Sequence, residues 1–168
     1  MAVKIKAIVA MDENRVIGRS GSLPWRLPED MRRFSALTRG HAVLMGRKTF
    51  DSLPPKFKPL PDRRNVVVTK QPDRLAAVQG IEVWGSIREC IESYCSGERA
   101  LPTDQLWVIG GQQIYEQTLP FWEEVYLTMV QAKHSGDAFF PPFEGNFDLK
   151  SEDKRVGYTF LHYLRKGL

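Results

Sequence analysis

The residue whose placement most demands a chemical explanation is Asp30, inside "LPWRLPEDMRRFSAL" at positions 23–37. If 28–39 winds as a helix, Leu27, Met31, Phe34 and Leu37 form one apolar stripe. Steps of about 100° then put Asp30 between Phe34 and Leu37, with Arg32, Ser35 and Arg39 on the opposite side. A carboxylate facing a core is penalised unless paired, so it must raise its pKa or meet a hydrogen-bonding partner. Arg33 at i+3 is one internal candidate. A first-turn acid complementing the positive end of a helix that opens at Pro28 produces the same letters. The preceding "LPW" sets Trp25 beside the carboxylate, which suits a binding pocket better than a solvated turn.

Two further stretches could seat an anion. In "VLMGRKTF" (43–50) an apolar run stops at Gly46, and Arg47, Lys48 and Thr49 follow where a helix should begin. Free backbone N–H groups, the helix dipole and two cations would converge there, although a Thr49 N-cap with two solvated basic side chains reads the same. In "LWVIGGQQIY" (106–115) the order strand, glycines, helix recurs. Paired glycines permit close approach of backbone to a ligand, or merely a packing turn. The chain holds no G-x-G-x-x-G and no Walker sequence, so neither a standard dinucleotide fold nor a P-loop kinase is supported. His41, His134 and His162 are scattered singly, Cys90 and Cys95 have no second pair, and "GRSGS" (18–22) lacks nucleophile-elbow spacing. A metal site, a disulfide framework and acyl transfer therefore find no support.

Such groups need a frame to hold them. "KIKAIVAM" (4–11) is apolar on both faces after Lys6, as a covered central strand would be, and "AVLM" (42–45), "NVVVT" (65–69) and "LWVIG" (106–110) are similar runs. Helices are expected at 28–39, 48–53, 86–96 and 112–118, and this alternation predicts an α/β fold with a largely parallel sheet and ligands at the carboxyl ends of its strands. "EEVYLTMVQA" (123–132) and "GYTFLHYLRK" (157–166) read as strands with no helix between them, so the sheet is mixed and ends in an antiparallel ribbon. The proline-rich "PPKFKPLPDRR" (54–64) reads as an ordered loop or edge connection.

With 168 residues, 42% of them hydrophobic, the chain suits one domain over 1–168. Residues 1–80 carry 16 Lys+Arg against 7 Asp+Glu, a balance of +9, while 81–168 carry 8 against 13, a balance of −5. A basic first half suits a nucleic acid or small multiply charged ligands drawn into a cleft, or is surface charge without a target. No apolar run reaches bilayer length and the start lacks a cleavable signal pattern, so a cytoplasmic protein is expected.

In order, "NRVIG", "LPWRLPEDMRRF", "VLMGRKTFDSL", "PLPDRRNVVV", "VIGGQQIYEQTLP", "YLT" and "GDAFFP" resemble the successive signatures of the dihydrofolate reductase family, from about residue 3 to the final ribbon. The resemblance implies a mixed eight-stranded sheet flanked by helices and NADPH-dependent reduction of 7,8-dihydrofolate to tetrahydrofolate. It also implies a monomer whose partners are its small-molecule substrate and cofactor, with no nucleic acid or membrane required.

By the same resemblance Asp30 is the single acidic active-site residue, accepting paired hydrogen bonds from a pterin edge. Ile8, Ala10, Met31, Phe34, Leu53 and Ile109 surround the pterin and aminobenzoyl rings. Thr128 supports Asp30, Trp25 orders water near the substrate, and Arg63 binds the α-carboxylate of the glutamyl tail. For NADPH, Ala10, Ile17 and Gly18 match nicotinamide contacts, and Gly46, Arg47, Lys48 and Thr49 match the phosphate turn. Gly110, Gly111, Gln112, Gln113, Ile114 and Tyr115 match the second turn, where the family has a cis Gly-Gly peptide. Arg47 and Lys70, beside Thr69, suit a 2′-phosphate, and the loop 14–23 would close over nicotinamide. A reductase acting on a ribosylamino-pyrimidine and a noncatalytic nucleotide- or nucleic-acid-binding protein are the rival readings; Asp30 after "LPW" favours a pterin over the first.

Overall fold

The structure is a computed structural model that describes residues 2–18 and 24–168. In chain order the elements are β1 (Lys4–Asp12), β2 (Val16–Gly18), α1 (Pro28–Thr38), β3 (Ala42–Gly46), α2 (Arg47–Ser52), β4 (Arg64–Val68), β5 (Ile81–Trp84), α3 (Ile87–Ser96) and β6 (Gln105–Gly110). There follow α4 (Gln112–Thr118), β7 (Glu124–Val130), β8 (Ala138–Phe139), β9 (Phe147–Lys154) and β10 (Tyr158–Arg165).

The apolar runs account for the middle of the sheet. β1 is flanked by β6 and β7, both parallel to it, because it is covered on both faces. Ile5, Ala7, Val9 and Met11 enter one core cluster while Ile8 enters another on the opposite face. Lys6 shares the face of Ile8 and is nevertheless buried, its amine 3.0 Å from Glu124. The eight-stranded sheet runs β5-β4-β3-β6-β1-β7-β10-β9, mixed and mostly parallel as expected. After β1 the chain crosses to β3 and works outward to β5, then returns through β6 to β7 on the other side of β1. That reversal opens a crevice at the carboxyl ends of the parallel strands.

Helix ends follow local chemistry. The "SIRE" sequence at 86–89 forms half of a capping box: the Ser86 hydroxyl accepts from the Glu89 backbone N–H at 3.2 Å, and Gly97 closes α3 at φ +83°. α1 opens on Pro28 with Glu29 and Asp30 in its first turn, so Asp30 does complement the helix end. It also faces inward.

The short β2 and β8, paired in a separate two-stranded sheet, escaped the sequence reading, as did two strands of the main sheet, which are its two edges. β5 is only partly buried at all four positions, and in β9, "FDLKSEDK", only Phe147 is buried. Edge strands pair on one side, and a charged exposed face removes the hydrophobic pattern that would betray them. The antiparallel ribbon expected from 123–132 and 157–166 exists as β7 with β10, and β9 extends it. Among the described residues no helix is long and apolar enough to cross a membrane.

Candidate active site

At the carboxyl ends of the parallel strands lies a cleft of about 1900 Å³. Drug-sized ligands occupy roughly 300–1,000 Å³, so two ligands can lie in it side by side. Its inner floor is Ile8 and Ala10 from β1 with Ile109 and Gly110 from β6; α1 gives Asp30, Met31 and Phe34 as one wall, and Leu53 faces them. Register explains why the acid is held here. Ala10 pairs with Thr128, and the Thr128 hydroxyl donates to Asp30 Oδ1 at 2.5 Å. Burial pushes the Asp30 carboxyl above the ordinary aspartate range, only partly opposed by the Thr128 hydroxyl and the positive field of Arg33. Among the described residues no cation lies within ion-pair distance of it.

The helix periodicity predicted the wrong inward neighbours in two places. Met31 is 52% exposed and lines the cleft instead of packing in the core. Ser35 and Arg32, expected opposite the stripe, line the cleft too. The reason is that α1 meets two surfaces, the sheet along Phe34 and Leu37 and the cleft along its flank. Arg33 turns the other way, onto the rings of Phe160 and Tyr126, with its guanidinium carbon 4.3 Å and 5.7 Å from their centres.

Arg63 sits at the mouth. Its Nε donates to the Pro61 carbonyl at 2.9 Å and one terminal nitrogen donates to the Thr38 hydroxyl at 3.1 Å. Held this way over the Phe34 ring, the guanidinium keeps N–H groups for a ligand carboxylate. Its neighbour Arg64 instead donates to the Ala100 carbonyl and is not part of the cleft.

The other half of the cleft is built for phosphates. α2 begins at Arg47 with Gly46 as its N-cap, so Thr49 is not the cap, and no side chain satisfies its first N–H groups. α4 begins likewise after Gly111, uncapped by any side chain. The Gly110-Gly111 peptide is cis and Gly110 has φ +125°. A Cβ on Gly46 would come 3.0 Å from Ile114, and Cβ atoms on Gly110 and Gly111 would each approach the Thr49 hydroxyl at 3.6 Å. The two turns thus abut, and side chains there would fill a cradle that a pyrophosphate could enter. Ile17, Gly18, Thr69, Lys70, Gln112, Gln113, Ile114 and Tyr115 also line this half, with Lys48. Tyr115 is buried and donates to the Ile8 carbonyl at 2.7 Å, bracing the floor beneath Ala10.

Some expected residues have a different placement. Arg47 lines the cleft but pairs with Asp51 at 2.7 Å, so its charge is partly neutralised. The Gln112 side-chain carbonyl accepts from the Phe139 backbone N–H at 2.8 Å and so ties β8 to the cleft. Trp25 does not line the cleft; its indole packs 5.5 Å from the His134 ring. Thr128 reaches the cleft only through Asp30. Of the expected mobile loop 14–23, residues 19–23 lie outside the described residues. The entrance to that loop is anchored by Asp12, which is fully buried and accepts from the backbone N–H groups of Asn14, Val16 and His134 and from the His134 ring, at 2.7–3.0 Å.

Arg74, Ser86 and Arg88 line the phosphate half and were not anticipated. The signal was the turn "GS" at 85–86, at the carboxyl end of β5, which could be recognised only once that strand had been. With Lys48, Lys70, Arg74 and Arg88 around two glycine-walled helix starts, these residues fit a phosphorylated dinucleotide. Among the described residues no cluster of His, Cys, Asp or Glu could hold a metal ion.

Comparison with known proteins agrees with this geometry. Residues 4–165 match the family model described as dihydrofolate reductase. The chain is 39% identical to a dihydrofolate reductase of Bacillus subtilis, over 97% of this chain and 95% of that one. It is 40% identical to one of Mycobacterium tuberculosis, covering 93% of this chain and 91% of the other. Among solved structures, a dihydrofolate reductase from Enterococcus faecalis complexed with NADP(H) and RAB-propyl superposes with a TM-score of 0.82 at 27% identity, covering 97% and 96% of the two chains.

Proposed function

The chain belongs to the dihydrofolate reductase family, and we propose, from that premise, how its own residues carry out the NADPH-dependent reduction of 7,8-dihydrofolate to tetrahydrofolate. The observation that carries the proposal is the half-buried Asp30 carboxylate, braced by Thr128 and facing an apolar cavity without an internal ion pair. A pterin edge presents an amino group and an adjacent ring N–H, two parallel donors that a carboxylate can accept together.

In this reading Ile8, Ala10, Met31, Phe34, Leu53 and Ile109 give the rings an apolar slot, and Arg63 takes the glutamyl α-carboxylate. Gly46, Lys48, Thr49, Lys70 and Gly110 to Tyr115 hold the cofactor, joined by Arg74 and Arg88, while Ile17, Gly18 and Ala10 flank its nicotinamide end. NADPH when bound supplies the hydride that goes to C6 of the pterin. What the protein adds is proximity and charge: the shared floor at Ala10 would bring the two ligand sites together, and water supplies the proton for N5. Asp30 favours the protonated ring electrostatically and does not itself hand over the proton. Trp25, resting on His134 outside the cleft wall, acts on water near the substrate at most indirectly.

The functional unit is a single-domain monomer in the cytoplasm, and it needs neither nucleic acid nor membrane. NADPH absorbance followed with and without dihydrofolate, then with NADH, tests the assignment. Oxidation that depends on dihydrofolate and is much slower with NADH supports it; nucleic-acid binding lost steeply with salt, without turnover, would replace it with the electrostatic reading.

A further inference from the structure

Arg33 is a half-buried cation with neither an ion pair nor a hydrogen bond among the described residues. We infer that Arg33 is a positioning residue for the reduction: a cation stacked on two sheet aromatics so that its field keeps Asp30 ionised. This inference rests on the proposed role of Asp30.

The geometry starts from α1. Arg33 lies three residues after Asp30, so the two side chains leave the helix as neighbours, about 60° apart around its axis. The guanidinium carbon then stands 4.3 Å from the centre of the Phe160 ring. Phe160 is the register partner of Thr128, whose hydroxyl donates to Asp30. Tyr126, the second ring under Arg33, has its hydroxyl committed to Glu124 at 3.2 Å, leaving its face to the cation. A guanidinium on ring faces is held without a counter-ion, so its charge remains available to a neighbour.

The surrounding charges leave Arg33 without an ion pair among the described residues, although Asp153 of β9 acts on it from beyond ion-pair distance. Arg155 of β9–β10 approaches the same Phe160 ring at 5.4 Å, but it is paired with Glu29 at 2.9 Å and with Asp153. Glu29 also accepts from the Tyr158 hydroxyl at 2.8 Å, so this acid is taken up by β10 and Arg155 and not by Arg33. From α4, Tyr115 faces Asp30 as a neutral phenol, its hydroxyl committed to Ile8 and burial holding it well above the usual range. Tyr158 on β10 is likewise held protonated by its bond to Glu29. Thr128 is neutral. Arg33 is thus the nearby cation whose charge no acid within ion-pair distance cancels, and its field lowers the Asp30 carboxyl against the push of burial.

The experiment is a carboxyl carbon NMR titration of the ligand-free full chain, with the Asp30 signal assigned by its loss in Asp30→Asn. Arg33→Met keeps a flexible apolar side chain on the rings and removes the charge. We expect the Asp30 midpoint to rise by about one pH unit, to return close to wild type in Arg33→Lys, and to rise by clearly less in Arg155→Met, which disturbs the same ring and leaves Glu29 and Asp153 unpaired but keeps the cation beside Asp30. The acidic limb of kcat/KM for dihydrofolate should move upward by the same amount in Arg33→Met. An unchanged midpoint in folded Arg33→Met overturns the inference, as does an equal rise in Arg155→Met. Should Arg33→Met not fold, Arg33→Gln is put to the same titration and judged by the same outcomes. Absence of dihydrofolate turnover in the wild type would defeat the proposed function alone, since the carboxyl titration needs no ligand.

Discussion

Replacing Asp30 with Asn separates what the carboxylate does for the reaction from what it costs the fold. The substitution preserves shape and keeps an oxygen to accept the Thr128 hydroxyl, now 2.5 Å from Oδ1. It removes one negative charge and replaces an acceptor by an amino group that opposes a pterin donor, a loss of about 1.5–3 kcal/mol for a charge-assisted bond. Unit charges roughly 5 Å apart at an effective dielectric of about 20 attract by about 3 kcal/mol. That attraction arises only when the ring is protonated, so it belongs to the transition state and lowers the rate by about two orders of magnitude. Single-turnover stopped-flow with NADPH and its deuterated form, between about pH 6 and 9, reads the chemical step, and the deficit should narrow as bulk acid takes over protonation. Stability should move the other way. The folded-state pKa of Asp30 is raised above its unfolded value, so its contribution is fully present below the unfolded value near pH 4 and is lost as pH rises through the folded value. The ligand-free Asn variant should therefore melt at a higher temperature than wild type at neutral pH, and the difference should vanish in acid. A wild-type single-turnover rate at neutral pH, or a loss confined to substrate affinity, refutes the electrostatic role; a lower melting temperature refutes the cost of burial.

Arg63→Leu should weaken dihydrofolate binding by about 10- to 100-fold through the lost charged hydrogen bonds, while a pterin lacking the glutamate binds as before; titration of both ligands by fluorescence quenching checks this. Lys70→Gln combined with Arg74→Gln should reduce the NADPH-over-NADH preference in kcat/KM by at least about 10-fold, because each removes a cation from the phosphate half of the cleft. Asp12→Ala leaves the backbone N–H groups of Asn14, buried Val16 and His134 without their acceptor and should destabilise the chain by about 2–4 kcal/mol in urea unfolding. Burial opposes ionisation of Asp12, but the bonds from Val16, His134 and Asn14 outweigh it and hold its pKa below the usual range. Its stabilisation is thus present above the unfolded value and disappears as pH falls through the folded one, so wild type but not Asp12→Ala should lose this increment in acid.

How legible the molecule was depended on whether a residue's environment was set locally. The central strands could be read because burial on both faces leaves an apolar run in the sequence, and α3 because its cap and its Gly97 stop are both local signals. β5 and β9 could not, since an edge strand is defined by the neighbour it pairs with; β9 is held through Ser151, Asp153 and their register partners His162 and Phe160 on β10, while its own letters are those of a solvated loop. The cost extended into the site. Without β5 there was no strand end at Trp84, and hence no reason to look to Ser86 and Arg88 for part of the cleft.

The site residues divide along the same line, and α1 shows why. A helical wheel assumes one buried face, and it correctly turned Asp30, Phe34 and Leu37 inward. This helix instead touches a sheet on one side and a cavity on the other, so a partly exposed Met31 and a half-buried Arg33 are both consistent with packing while both break the pattern. Apolar surface bordering a cavity is exposed only while no ligand covers it, and a guanidinium can be buried wherever aromatic faces replace water. The two departures flank Asp30 on opposite sides of the helix. Met31 looks toward the expected ring of the substrate, and Arg33 toward the sheet that holds the acid's hydrogen-bond donor. Local periodicity therefore failed where the helix stops serving the core and starts serving the ligand, and such failures are themselves evidence for where a site lies.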